Sequence, residues 1–446
     1  MTKQNGPTKE RELILDILLE ILEYGGYSHV VLKKALDKHQ YLEKQNRAFI
    51  TRVAEGTLEY LLTIDAVIDQ CSKTKVKKMK PVIRTILRMS VYQILKMDRI
   101  PDSAVCDEAV KLAVKRKFHG LKGFVNGVLR TISREKETFV FTDWSRKYSM
   151  PDWIIELWKQ QYPAETVERM LQAFLEERPT SVRCNLDRAS MEEILHSLEQ
   201  DHVTVQKNPL ADHALLLSGY DYLDAVAAFR NGWITVQDVS SSFVGEAADP
   251  KPGDVVLDVC GAPGGKSLHI ADKLAGTGQV VVRDLTENKI LLVEDNIRRT
   301  GFTNIRAEVW DALEEDLSWE KQADIVIADL PCSGLGIIGK KPDIKYQVTK
   351  EDLEDLADLQ KDILSVVWNY VKPGGKLIYS TCTIDHLENE DQRNWILETL
   401  PFEPVSIEGV FGSQVAEETM KDGYVQLLPG RYPCDGFFIS AFRRKE

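Results

Sequence analysis

Two cysteines sit in settings that suit covalent chemistry. One lies in Asp329-Leu-Pro-Cys332-Ser-Gly-Leu-Gly336 and the other in Ser380-Thr-Cys382-Thr383. Each follows a short apolar run, and turn-forming residues present it. A third segment, Asp258-Val-Cys260-Gly261-Ala262-Pro263-Gly264-Gly265-Lys266, has the same layout and opens a helical pattern. Its glycines let the backbone approach a ligand closely, and the helix N-terminus favours negative charge such as a carboxylate. Asp284 closes the next apolar run, where an acid takes the ribose hydroxyls of an adenosine-type ligand. Without the glycine loop it would read as a helix cap. Asp311, past a third run, can reach an adenine amino group by the same geometry and is, alone, equally a loop residue.

Thiols, a carboxylate and an adenosine-type ligand in one cleft suit methyl transfer to an unreactive ring carbon. Carbon 5 of cytosine is a poor nucleophile towards a sulfonium methyl group. A thiolate adding to carbon 6 turns the ring into an enamine whose carbon 5 can attack. The step needs an acid near N3 and later a base for the C5 proton. Asp329 suits the N3/N4 edge. One cysteine adds and the other assists elimination, and the residues alone leave open which does which. Either cysteine by itself reads as buried packing. Two of them at strand ends beside Asp-Leu-Pro-Cys favour chemistry. The expected cofactor is S-adenosyl-L-methionine.

Two other functions compete. Gly265-Lys266-Ser267 supplies the end of a phosphate-binding P-loop, and Asp324 to Asp329 imitates its acidic strand. The first glycine of that motif falls on Cys260, however, and a P-loop enzyme has no need of Asp284. A non-catalytic RNA-binding factor would need neither Cys332 nor Cys382.

The elements that must hold these residues alternate regularly. Strands are expected at Val255–Cys260, Gln279–Leu285, Ile305–Val309, Asp324–Asp329 and Lys376–Thr381. Helices are expected between them at Lys266–Leu274, Glu287–Arg299 and Lys350–Tyr370. This predicts a parallel sheet covered on both faces, with its ligand beyond the carboxyl ends of the strands. Residues 1–140 read as all-helical, with Leu13, Ile14, Ile17, Leu18, Ile21 and Leu22 at helical spacing and Pro81 starting another helix. Residues 141–235 read as a small α+β module, with strands at Thr180–Asn185, Val203–Val205 and Ala214–Leu217 and helices at Met191–Leu198 and Tyr222–Arg230. Residues 236–446 carry the candidate site.

The chain has 446 residues, 43% hydrophobic and 28% charged, which fits a multidomain globular protein. Its N-terminus, Met1 to Glu12, lacks the apolar core of a secretory signal, and no run approaches the roughly 20 apolar residues of a membrane span. The expected location is the cytoplasm. The seven cysteines are widely spaced without a CxxC pair, so neither a disulfide framework nor a zinc site is expected, and no metal. The net charge of −12 hides an asymmetry: 25 Lys and Arg stand against 15 Asp and Glu up to Arg134. A basic head on an acidic body suits a polyanion. The head's candidates are Lys77, Lys78, Lys80, Arg84, Arg88, Lys115, Arg116, Lys117, Lys122 and Arg130, although most single lysines are ordinary solvated charges.

Cys260–Lys266, Asp329–Gly334 and Thr381-Cys382 resemble the RNA cytosine-5 methyltransferases of the Nol1/Nop2/Sun group. Leu87–Leu95, Arg99-Ile-Pro101, Glu108-Ala-Val110 and Phe124–Arg130 look like the NusB-type RNA-binding fold. The resemblance spans nearly the whole chain. It implies a Rossmann-like class I methyltransferase domain acting on a cytosine of small-subunit ribosomal RNA. That cytosine must leave any stack to reach a thiol, which favours a loop or an unassembled, early precursor RNA. It also implies that Cys382 is the nucleophile, that Cys332 aids product release, and that the cofactor lies on Cys260–Lys266, Asp284, Asp311 and Asp329. Arg183 and Asn185 fall in the segment that resembles the group's RNA-binding module, and Lys340 and Lys341 are candidates for phosphate beside the Pro-Cys loop. Gly261 and Ser267 stand where alanine and threonine are common. Arg283 is unusual before the ribose acid and is a candidate partner for Asp284.

Overall fold

The computed structural model describes residues 7–446. Met1–Gly6, the start of the stretch read as lacking a secretory signal, lies outside the described residues. The chain divides into two compact units. The first runs to Val167 and includes Ile338–Gln347, and the second comprises Glu168–Ile337 and Val348–Glu446.

The first unit is helical, with its main helices at Pro7–Tyr24, Ser28–Lys38, Lys44–Glu59, Leu61–Cys71, Pro81–Lys96, Asp102–Lys115 and Lys122–Glu135. Pro81 takes the first helical position, where its missing N–H costs nothing. The apolar stripes face one core that includes Ile14, Leu18, Ile86, Leu87, Val91 and Leu129, while Leu13 and Leu22 pack at its margin. Gly56 is the contact point for Tyr92: a Cβ there would lie 2.0 Å from the ring.

Ile338–Gln347, which follows the Pro-Cys loop in sequence, is part of this helical unit. Asp343 accepts from the backbone N–H of Ser28 (2.9 Å) and from its hydroxyl. It thereby caps the helix Ser28–Lys38, whose own N-cap residue, Tyr27, offers no side-chain bond. Tyr346 donates to the Leu58 carbonyl (2.9 Å) and Lys345 to that of Glu59 (2.8 Å). Lys345 is 2% exposed, and burial lowers its ammonium to about 7.

The second unit holds two sheets. The smaller is antiparallel, in the order β2-β3-β1-β4, from β1 (Thr180–Cys184), β2 (Thr204–Lys207), β3 (Ala214–Ser218) and β4 (Ile234–Val236). The helix Met191–Gln200 packs beside it and starts with a capping box between Ser190 and Glu193. The helix expected over Tyr222–Arg230 forms only a 3₁₀ turn at Leu223–Ala225 and one turn at Ala227–Arg230.

The larger sheet contains β5 (Val255–Asp258), β6 (Gln279–Asp284), β7 (Ile305–Val309), β8 (Ala323–Asp329), β9 (Val371–Thr381), β10 (Phe402–Pro404), β11 (Tyr424–Leu427) and β12 (Phe437–Arg444). The order β10-β12-β9-β8-β5-β6-β7, with β11 on β12, makes β5 to β9 parallel and adds an antiparallel edge. The expected parallel sheet is therefore mixed. Alternate residues face two cores, Val256, Val280 and Ile325 on one side and Leu257, Val281 and Val326 on the other. No helix among the described residues is long and apolar enough to cross a membrane.

Candidate active site

The strand order strings the expected site residues along one edge of the sheet. Read from β9 through β8, β5 and β6 to β7, the carboxyl ends lead to Cys382, Asp329 with Cys332, the Cys260–Lys266 loop, Asp284 and Asp311. The glycine loop turns sharply because Gly264 has φ +101°, a left-handed value that an L side chain resists. Gly264 donates to the Gly261 carbonyl (2.7 Å), and the helix Gly265–Lys273 starts immediately after. A Cβ on Gly265 would make only ordinary contact, with Gln237 at 3.7 Å, so the half-buried helix start is not crowded.

Asp284 is tied to this loop. It is buried and accepts from the backbone N–H of Ala262 (3.0 Å) and Leu285 (2.8 Å) and from Lys289 (2.9 Å). Arg283 does not pair with it. Its side chain points to the other face, where it binds Glu308 (2.9 Å) and Asp316 (2.6 Å) and lies over the Trp310 ring. Asp311 caps its own turn, accepting from Leu313 N–H (3.0 Å). Asp258, at the root of the loop, is fully buried; burial pushes its carboxyl up to about 7 although Ser267 donates to it. A Cβ on Gly261 would come 2.7 Å from that carboxyl, so glycine at this position makes room for Asp258.

Asp329 is held from two sides, by Lys266 Nζ (2.6 Å) and by the Ser380 hydroxyl (2.7 Å). Burial would lower the Lys266 ammonium, but Asp329 outweighs it and raises the group above its ordinary value. The cation therefore stays charged beside the carboxylate.

The two cysteines meet. Cys332 Sγ and Cys382 Sγ are 3.4 Å apart, both half-buried. The hydrogen bond with Cys382, followed by burial, pushes the Cys332 thiol well above its ordinary value. The Cys260 thiol of the glycine loop is likewise raised by burial. The loops bearing the pair are fastened together: Gly336 N–H donates to the Cys382 carbonyl (3.0 Å), and the Ser333 and Thr383 hydroxyls are 2.7 Å apart. One thiol can engage a planar ring while the other lies within reach of the adduct, with a carboxylate on the adjacent strand.

Three segments match known family models. Residues 246–443 match the 16S rRNA methyltransferase RsmB/F model, residues 8–134 the NusB family, and residues 150–221 the RsmF/B-like ferredoxin-like domain. A probable ribosomal RNA small subunit methyltransferase B of Bacillus subtilis is 36% identical over 98% of this chain and 99% of its own length. The chain belongs to the RsmB/F family of 16S rRNA methyltransferases. The ribosomal RNA small subunit methyltransferase B of Salmonella paratyphi B is 30% identical over the full length of both proteins. The solved structure of PH0851 superposes with a TM-score of 0.83 at 26% identity, covering 98% of this chain and 99% of that one.

Among these family features, several side chains expected at an RNA surface are occupied elsewhere. Arg183 is fully buried; burial lowers it to about 10 while Asp272 (3.5 Å) and Gln237 (2.8 Å) partner it. Asn185 is also buried and donates to the Gly232 carbonyl (2.6 Å). Arg183 on β1 and Asn185 just beyond it are thus bonded within the fold, and their side chains do not face solvent. In the helical unit, Arg84 pairs with Glu23, Arg88 with Asp65, Lys115 with Glu12 and Arg116 with Asp16. Lys77, Lys78, Lys80, Lys117 and Lys122 remain exposed.

Sequence reasoning missed Glu388, Asn389 and Gln360. All three are fully buried beside the cysteine loops. Glu-Asn ahead of the polar stretch Glu390–Thr399 reads as a solvated helix start, and nothing in the spacing marks it otherwise.

Proposed function

We propose that this chain transfers a methyl group from S-adenosyl-L-methionine to carbon 5 of a cytosine in 16S ribosomal RNA, through a transient bond between Cys382 and carbon 6. The observation that carries this reading is the 3.4 Å approach of two thiols beside a carboxylate gripped by a lysine. Packing alone gives no reason to bring two sulfurs and an ion pair to the ligand edge of a sheet.

The cofactor, when bound, supplies the electrophilic methyl group. The residues present fit it: the turn at Gly264, the uncrowded helix start at Gly265 and the buried carboxylate of Asp284 form a cradle for an adenosine with an anionic tail. Cys260–Lys266, Asp284, Asp311 and Asp329 would line it. Cys382 adds to carbon 6 as its thiolate. Asp329, fixed by Lys266 and Ser380, accepts from the amino group of the N3/N4 edge, and the Lys266 ammonium beside it offsets the negative charge that develops on N3. Cys332 remains a thiol until the methyl group is in place, because its neighbour and its burial oppose ionisation; its S–H proton then passes to the departing Cys382 thiolate as its sulfur takes the C5 proton, so the C5–H and C6–S bonds break while the C5=C6 bond re-forms.

The target base must leave any stack to reach Cys382, which favours a protein-free or early precursor RNA in the cytoplasm. The division into residues 1–140 and 141–235 for RNA and 236–446 for catalysis belongs to this proposal. Exposed lysines of the first segment would supply salt-dependent phosphate contacts.

The test is trapping with a 16S rRNA transcript. Cys382→Ala abolishes methyl transfer and covalent capture, whereas Cys332→Ala accumulates a protein–RNA adduct that survives denaturant. Adduct formation by the Cys382 variant and none by the Cys332 variant would exchange the roles. Equilibrium binding of ATP-magnesium without S-adenosylmethionine binding would favour a nucleotidase instead.

A further inference from the structure

Two consecutive buried residues grip the two cysteine loops separately. Glu388 accepts from the backbone N–H of Ser333 (2.9 Å) and from its hydroxyl, immediately after Cys332. Gln360 braces this contact, donating to Glu388 (3.2 Å) and to the carbonyl of Pro331 (2.9 Å), immediately before Cys332. Asn389 accepts from the hydroxyl of Thr381 and donates to the carbonyl of Thr383 (3.2 Å), so it holds both neighbours of Cys382. Tyr379 on β9 reaches over to the Glu388 carbonyl and to Gln360 (3.0 Å), closing the network.

A fully buried carboxyl is costly unless its hydrogen bonds are met. Here the side-chain partners of Glu388 are Ser333 and Gln360, and Gln360 in turn holds Pro331. The network therefore connects to the flanks of the reactive sulfur rather than to the general core. We infer that Glu388-Asn389 is the positioning device of the thiol pair, with Glu388 setting where Cys332 stands and Asn389 setting where Cys382 stands. The inference rests on the proposed thiol chemistry and adds a division of labour within it.

Burial raises the Glu388 carboxyl to about 7 against the pull of Ser333. A neutral acid at this position is matched by glutamine, whose carbonyl can accept from Ser333 N–H and Gln360 while its amide donates to the Ser333 hydroxyl. Glutamine is therefore the conservative replacement and alanine the disruptive one.

The two halves of the device predict different defects. Glu388→Ala releases the Cys332 loop, so the covalent step proceeds and elimination falters: adduct with the 16S rRNA transcript accumulates, as in Cys332→Ala. Glu388→Gln restores turnover without accumulated adduct. Asn389→Ala releases Cys382, so adduct formation itself slows, by about 100-fold for a displacement near 1 Å. S-adenosylmethionine affinity is retained in all three, because the cofactor loop is not part of the network.

The hydroxyl-deletion variants Ser333→Ala and Thr381→Val each remove one link from one half, and they carry the test if an alanine variant fails to fold. They should show the same two defects in weaker form. The inference is overturned if folded variants of both halves lose adduct formation and release in equal proportion, or if neither step changes. Failure of the underlying thiol reading looks different: Cys382→Ala then forms adduct, or Cys332→Ala forms none, whatever the Glu388 and Asn389 variants do.

Discussion

Lys345 offers a sharp test of the segment that follows the Pro-Cys loop. Its ammonium is 2% exposed, donates to one backbone carbonyl and has no carboxylate within ion-pair reach among the described residues. Burial lowers it from 10.5 to about 7, with Glu59 pulling the other way. Below pH 7 both the folded and unfolded chains hold the proton. Between pH 7 and 10.5 the unfolded chain holds it and the folded chain does not, so stability rises with pH across that window. The shift corresponds to a penalty of about 5 kcal/mol that is fully present below pH 7 and gone above 10.5. Lys345→Met keeps the volume, removes the charge and forfeits one hydrogen bond worth about 1 kcal/mol. The variant should be more stable than the parent at pH 6, by about 3–4 kcal/mol as an order of magnitude, and marginally less stable at pH 10.5. The measurement is the melting of the helical unit by calorimetry at both pH values, read as the difference between variant and parent. A difference that does not change with pH, or a parent that is the more stable protein at pH 6, refutes the buried neutral lysine.

Asp284→Asn sets an amide against three donors and loses charge-assisted bonds to Ala262, Leu285 and Lys289. Titration calorimetry should show S-adenosylmethionine binding weakened about 10- to 100-fold, and unchanged affinity would remove Asp284 from the site. Arg183→Met leaves buried Asp272 without its guanidinium and should cost about 3 kcal/mol of stability while RNA affinity at fixed salt stays the same. Weaker RNA binding at unchanged melting temperature would return Arg183 to the RNA surface. Gly336→Ala places a Cβ 2.0 Å from the Gly436 carbonyl and 2.7 Å from that of Cys382. It should abolish methyl transfer and leave cofactor binding intact, and full activity would show that the Pro-Cys loop tolerates displacement. His269, lowered to about 3 by burial and then by Arg183, is neutral in the fold while the unfolded ring protonates below about 6.5. Stability should therefore fall as pH drops from 6.5 towards 3, and His269→Gln should flatten that fall in melts recorded at pH 7 and 4.5.

The parts of this molecule legible in sequence are those where one local rule decides. Runs such as Val255–Asp258 and Ala323–Asp329 are apolar, are followed within three residues by glycine or proline, and end on a residue with chemistry, so strand and site announce each other. The antiparallel edge was less legible. β12 is a nearly continuous apolar run whose direction depends on its pairing with β9, and nothing in 437–444 itself encodes that direction. Tyr222–Arg230 carries helical spacing but breaks into two short turns, one of which is anchored by Asp201 receiving the Ala227 N–H. That contact lies 26 residues away, beyond any local pattern.

The candidate site divides the same way. The cysteines, Asp329 and the glycine loop were readable because their chemistry is unusual at strand ends. Arg183, Asn185, Glu388 and Lys345 were not, because a polar residue's burial depends on partners distant in sequence. Glu388 and Ser333 are 55 positions apart, and Lys345 and Glu59 are 286 apart. In each case the sequence shows a side chain that by composition belongs in water, and only the fold supplies the hydrogen bonds that let it leave. An acid that reads as the solvated start of a helix becomes, once its partners are known, the residue that decides where a thiol stands.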